Sequence, residues 1–545
     1  MFARHLAILA ASAALAGLAA CNKAPEPTAA PKPKVGTAAP AVAGPHAASG
    51  VAWRSGDVDA AFAAAETEHK PLFLYWGAVW CPPCNQVKAT IFNRQDFIER
   101  SRFFIPVYID GDSPRAQRLG DRFKVSGYPT MILFRPDGTE ITRLPGEVDA
   151  DQYMRVLTMG MNGARPVGET LAAALSSGAN APGLSADDWR MLAYYSWDTD
   201  EHKLIAANAL ASTLKRLAQA CPAGQADTAT RLRLRALVAA ATAGDAKPRD
   251  DKSAAGDLLQ IVTDPKLTRE NFDLIVYYAD NLVGYVTLPG SAARGTLIDS
   301  WNATLERLSG DAGISTADRL AAVAGRVALA KLDAPKQPLP DPLLQSVRDQ
   351  VARADRVTTD PYARQSVISA AADLLAEAGL AKASDDLLQA ELTRSHSPYY
   401  FMLGLAANAR KRGDKAAALD WERKAYEAAE GPATRLQWGV HYVSALIDLA
   451  PQDDARIAHA ATSVIDGLDP AADTFYERNL RALHRMGAKL AGWNDKHRHD
   501  ATVAKIKTRM GEVCSKLSPG DPSRAICEGA LGTARSAPGP GNAAA

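Results

Sequence analysis

At 545 residues, 47% of them apolar and 23% charged, the chain is too long for one hydrophobic core, and roughly two to four folded units are expected. Lys plus Arg number 62 against 61 Asp plus Glu, a net charge of +1, which leaves no electrostatic footprint for nucleic acid and none for an anionic lipid surface. Six cysteines are too few for a disulfide-scaffold miniprotein, and no apolar run beyond residue 20 reaches the roughly 18 residues of a membrane span.

Arg4 and His5 precede a small-residue apolar stretch from Leu6 to Ala20, the pattern of a secretory leader over residues 1–20. One reading is an ordinary signal peptide cut near an A-x-A site. The other rests on Leu18-Ala19-Ala20-Cys21, which resembles the signal of bacterial lipoproteins. That resemblance implies that Cys21 is lipidated, and that Asn22 after it directs the chain to the periplasmic face of the outer membrane. The lipid would be the only membrane attachment. Residues 21–50 are rich in Ala, Pro, Gly and Thr and carry too few large apolar groups to repay ordering. They read as a tether.

From Val51 to Arg165 aromatic residues concentrate, and β-type runs appear at Pro71–Trp76, Phe103–Ile109 and Thr130–Phe134. Arg135-Pro136-Asp137-Gly138 is a turn leading into a hairpin partner, Thr139–Arg143. Helical stretches fall near Val58–Glu66, Cys84–Thr90, Ser113–Phe123 and Ala150–Met159. This alternation predicts a small α/β sheet domain over 51–165.

Residues 166–530 read as helix after helix, with a disordered tail over 531–545. Ser185 with Asp188, and Ser315 with Asp318, have the spacing of capping boxes. Phe272, Ile275, Val276, Ala279, Leu282 and Val283 follow one helix face. Gly379 recurs as Gly413 and Pro398 as Pro432, both 34 residues on, while Ser384 aligns with Ala418 and Leu387 with Trp421. Thirty-four is the tetratricopeptide period, so a helical-repeat array is expected, with Glu391 standing where that motif usually has alanine. A non-repeating helical domain is the alternative.

Trp80-Cys81-Pro82-Pro83-Cys84 follows an apolar strand and opens a helix, and Gly127-Tyr128-Pro129-Thr130 leads into the next strand. A cysteine just before a helix faces unpaired N–H groups and the positive end of the dipole, which favours its thiolate. Pro82 and Pro83 suit a first turn, whose N–H groups have no partner in the helix. A zinc half-site would need a second pair, and Cys514 and Cys527 lack the spacing. A structural disulfide in a redox-idle domain remains the competing reading. With Lys70–Cys81 and Val125–Phe134, these motifs resemble the thioredoxin superfamily, and within it the periplasmic C-terminal domain of DsbD-type thiol:disulfide interchange proteins. The resemblance implies Cys81 as the exposed attacking thiol, Cys84 as the buried resolver, a cis Tyr128–Pro129 bond, and substrate docking beside Trp80, Tyr128 and Pro129. It implies no cofactor and no metal, and partners that are periplasmic protein thiols or disulfides. The family usually has a buried acid six residues before the first cysteine. Here that residue is Tyr75, and Pro106 falls nearest to the usual partner lysine.

Cys514 and Cys527 flank Ser-Pro-Gly-Asp-Pro-Ser and read either as a local staple, worth roughly 3 kcal/mol, or as a reduced core pair. Cys221 reads as a small apolar residue, and His497-Arg498-His499 as a solvated stretch. The sequence therefore points to a lipid-anchored periplasmic thiol:disulfide oxidoreductase in which a helical array binds a protein partner. The rival is an interaction scaffold whose thioredoxin fold is an accessory.

Overall fold

The computed structural model describes residues 50–532 apart from residues 126, 147, 164, 178–182, 202 and 470–472. The leader, Cys21, the tether as far as residue 49 and the tail from residue 533 lie outside the described residues. Leu531, placed by sequence in the tail, is instead buried in the last core of the helical region.

Four strands form one sheet in the order β2-β1-β3-β4: β1 Leu72–Gly77, β2 Ile105–Asp110, β3 Thr130–Phe134 and β4 Glu140–Leu144. β1 runs parallel to β2 and antiparallel to β3, and β3 pairs antiparallel with β4. Both faces are covered, so β1 is buried at all six positions, which is why it reads as a continuous apolar run rather than an alternating one. The β3–β4 turn closes through Arg135 N–H to Thr139 O (2.8 Å), with Gly138 at φ 85°, a conformation that excludes most side chains. Helices Val58–Glu68, Pro82–Val87, Ala116–Phe123 and Ala150–Met161 lie where the periodicity places them. The short helix Gln95–Arg100 was not legible.

The chain beyond Met161 is mostly helical, and among the described residues the whole molecule contains twenty-five α-helices. Ser185 and Asp188 form the reciprocal capping box. Gly379 and Gly413 both have positive φ, in the turns between Pro361–Glu377 and Ala381–Glu391 and between Pro398–Lys411 and Lys415–Ala428. Pro398 and Pro432 each occupy the first turn of a helix, where a missing N–H costs nothing. Glu391 is buried and tolerated because Arg364 pairs with it at 2.6 Å. The single helix expected through Phe272–Val283 is broken at Tyr278 into Phe272–Tyr277 and Ala279–Val286. The Ile275 carbonyl, which a continuous helix would use at Ala279, accepts instead from the Trp301 indole (2.9 Å).

Residues on either side of Arg165 share one core. Val156 and Leu157 pack in the same cluster as Val167, Trp189, Met191 and Leu192, together with Phe73 and Met131 of the sheet. Arg143 of β4, fully buried, donates to the carbonyls of Phe123, Lys124 and Thr199, which ties the sheet to the helices after it. A chain truncated after Arg165 is therefore expected to lose a fully buried tryptophan and its neighbours from that core. It should bind a hydrophobic dye and lack a cooperative urea transition; a sharp transition would show that the sheet's core closes without them.

Candidate active site

β1 delivers the chain through Gly77 to the loop Ala78–Cys81, and the helix Pro82–Val87 starts there. Cys81 is the N-cap, and its Sγ accepts from the Cys84 N–H (3.2 Å). Pro82 and Pro83 open the helix in its first turn. Cys81 and Cys84 are joined by a disulfide (S–S 2.10 Å, Cα–Cα 5.2 Å). Asn85 fixes the loop from within, donating Nδ2 to the carbonyls of Val79 (2.9 Å) and Cys81 (3.0 Å). The Tyr128–Pro129 bond is cis. Tyr128 lies across from Trp80, with ring centroids 6.4 Å apart.

Cys81 is not the exposed thiol that the resemblance implies. It is 2% exposed and Cys84 3%. The cover comes from the helical region. His396 Nε2 donates to Val79 O (3.2 Å), Gln365 Nε2 to Trp80 O (3.1 Å), and the Trp80 indole N–H to Thr434 Oγ1 (2.7 Å). The Trp80 ring stacks on Tyr400 at 5.9 Å and meets Trp438 edge-on at 4.7 Å. Arg478 sits 4.4 Å over the Tyr128 ring and donates to Gln437 (2.6 Å).

Two carboxylates stand at the end of β2, Asp110 as its last residue and Asp112 just beyond it. Asp112 accepts from Thr434 N–H (2.8 Å) and Thr434 Oγ1 (2.5 Å); burial pushes its pKa up to about 6 against the pull of those two bonds. Burial likewise raises Asp110, which accepts from the Tyr108 hydroxyl (3.2 Å) and the Asp112 N–H. Tyr75 is 5% exposed and packed against Phe92, Tyr108 and Trp53. Burial, with the charge of Asp110, holds its phenol far above the ordinary range, so it stays protonated at neutral pH. Pro106 lies on β2 opposite Phe73 and supplies no charge.

Cys514 and Cys527 form a disulfide (Cα–Cα 5.7 Å) within the last core of the helical region. Cys221 is a half-buried free thiol, pushed up to about 11 by burial. The solvated stretch expected at 497–499 holds for His497 and Arg498 but not for His499. His499 is buried, stacked on Trp493 at 3.8 Å, with Nδ1 2.9 Å from Asp454.

Residues 58–159 match the family model for thioredoxin-like domains. The thiol:disulfide interchange protein DsbD of Pseudomonas fluorescens is 28% identical over 103 residues, 18% of this chain and 18% of its own. DsbD 1 of Pseudomonas aeruginosa is 32% identical over 101 residues, 17% of this chain and 16% of its own. The chain thus spans less than a fifth of the length of these curated relatives. A solved DsbH oxidoreductase is 18% identical, with 23% of this chain and 95% of that chain covered and a TM-score of 0.19. Among the described residues no helix is long and apolar enough to cross a membrane. Residues 58–159 are a thioredoxin-like domain, homologous to the thioredoxin-like domains of DsbD proteins and followed by a mostly helical region.

Proposed function

We propose that the chain is a periplasmic protein thiol:disulfide oxidoreductase, anchored by a lipid on Cys21 at the outer membrane, whose helical region selects the protein partner. The observation that carries the chemistry is the Cys81–Cys84 pair at the start of a helix, in a domain that also holds a cis Tyr128–Pro129 bond. In the reduced pair, the Cys81 thiolate attacks one sulfur of a substrate disulfide, and the other sulfur leaves with the bonding electron pair and takes a proton. The Cys84 thiolate then attacks Cys81 Sγ and expels the second substrate sulfur. The substrate gains two electrons and two protons, and the pair becomes the disulfide. A second dithiol, by the same steps in reverse, restores it. Equilibrating the full chain with glutathione buffers and counting free thiols on Cys81 and Cys84 tests this reading. A pair that stays oxidised at every ratio up to fully reduced glutathione makes it a structural disulfide and leaves the scaffold reading.

Resolution needs Cys84 to lose a proton in a buried site, and Tyr75 cannot accept it. Tyr75→Asp is expected to speed decay of a Cys81 adduct near pH 7, because a carboxylate at that position, unlike a protonated phenol, can accept the proton. Loss of a buried aromatic ring should cost about 3–5 kcal/mol of stability. Stopped-flow decay of the adduct, parent against Tyr75→Asp, is the measurement; equal rates would mean that proton transfer does not limit resolution.

A further inference from the structure

We infer that the helical region is an intramolecular lid on the thioredoxin-like active site: helices Pro361–Glu377, Pro398–Lys411 and Pro432–Leu449, with the turn before Pro398, sit where a protein disulfide would have to dock. The inference rests on Cys81 being the attacking thiol, as proposed above.

The groups that an incoming chain would use are taken by this chain itself. A chain docking beside Trp80 would meet a loop two of whose carbonyls, of Val79 and Trp80, already accept from His396 and Gln365. It needs the flat face of Trp80, which Tyr400 covers. It needs the Tyr128 side of the groove, which Arg478 overlies. With Cys81 2% exposed, the attacking sulfur has no open line to a second protein.

The cover is tight but built to separate. Trp80 packs against two cores, that of the sheet with the helices after it and that of the last helices. Much of the rest of the junction is polar: hydrogen bonds from Thr434 to Asp112, Trp80 to Thr434, Gln365 and His396 to backbone and Gln86 to Asp318, with Arg478 over Tyr128 and Lys88 over Tyr362. Polar contacts can be exchanged for water, whereas breaking a core cannot be offset that way, so the helices can lift without either core unfolding. Gly431 shows how close the approach is. At φ 86° it precedes Pro432, and a Cβ there would fall 2.3 Å from Asp112 Cγ. Only glycine lets Thr434 reach the carboxylate.

The test uses the full chain carrying Cys221→Ser, reduced with dithiothreitol and desalted. It is then exposed to iodoacetamide or to a maleimide bearing a long polyethylene-glycol chain. Peptide mass mapping reads Cys81 apart from Cys514 and Cys527. The folded parent is expected to label at Cys81 about a hundredfold or more slowly than the same chain in urea. Thr434→Val removes the bonds to Trp80 and Asp112 Oδ2, and Gly431→Ala forces the start of Pro432–Leu449 off Asp112. Each should raise labelling about tenfold or more. Gln365→Ala, on the other side of the loop, should do the same and keeps the test decisive if Gly431→Ala fails to fold. Acrylamide quenching of tryptophan fluorescence should rise in step as Trp80 is uncovered. Labelling of the folded parent at the urea rate, or unchanged labelling in Thr434→Val and Gln365→Ala with their thermal transitions intact, overturns the lid. The lid and the exchange chemistry fail separately. Variants that label quickly yet do not reduce insulin uphold the lid and sink the oxidoreductase reading. A parent that reduces insulin as fast as its variants does the reverse.

Discussion

A full chain carrying Cys84→Ser is expected to accumulate mixed disulfides on Cys81, while Cys81→Ser accumulates none. The asymmetry follows from the geometry of the helix start. Cys81 is the cap, with its sulfur at the end of the backbone N–H row, and Cys84 lies one turn in, within bonding distance. While Cys84 is present, any adduct on Cys81 faces a thiol held beside it, and the intramolecular attack competes with millimolar external thiol at a very large effective concentration. Removing that thiol leaves only external attack, so the adduct should persist on the order of a thousandfold longer or more. Non-reducing gels followed by mass mapping of Cys81 would show it. Adding Thr434→Val to Cys84→Ser should increase the trapped fraction further, since the lid then limits entry and the missing resolver limits exit. Equal trapping by the two single variants would reverse or remove the roles given to the cysteines.

The sheet and the redox pair were legible because their signals are local. Pro71–Trp76 is an unbroken apolar run that can only be a strand covered on both faces, and Arg135-Pro136-Asp137-Gly138 carries its own turn chemistry. The concealment of Cys81 was not legible, for a reason of distance. The covering side chains lie 285, 317 and 354 residues downstream, as Gln365, His396 and Thr434. They are single polar residues with no period or motif to single them out. The usable hint was compositional: Tyr400 and Trp438 are large aromatics in an alanine-rich helical region, and both pack on Trp80. The break at Tyr278 was hidden for a related reason. Helical spacing says which residues share a face, but it cannot say that a distant indole will take the carbonyl that continues the helix.

The helices need a fixed root to act as a cover, and that root is expected to fail when Asp273 is replaced. Asp273, 5% exposed, accepts from Arg231 through both oxygens (2.9 and 2.8 Å) and from Arg235 (3.2 Å). Arg231 also donates to Ala193 O (3.1 Å), so the knot joins the helix Ala186–Tyr194, in the core shared with the sheet, to the helix Phe272–Tyr277 in the next core. Asp273→Ala leaves two guanidinium groups buried together, with Arg235 keeping only the exposed Asp198. Breaking a buried pair in this way costs about 3–5 kcal/mol, far more than the intact pair contributes over an apolar substitute. The pH dependence has a definite sign. Burial alone would raise the Asp273 carboxyl, but Arg231 and Arg235 outweigh it and hold it below the usual carboxylate range. Its contribution is therefore fully present above about pH 4 and is lost as pH falls through the lowered value. Urea midpoints should drop sharply at pH 7 in Asp273→Ala, and the gap to the parent should narrow on acidification. A gap that stays constant from pH 7 to pH 3 would mean that the carboxylate's charge is not what holds the two guanidiniums. Replacing the three residues together with apolar side chains of matching volume should recover most of the lost stability, because it removes the stranded charges along with their partner.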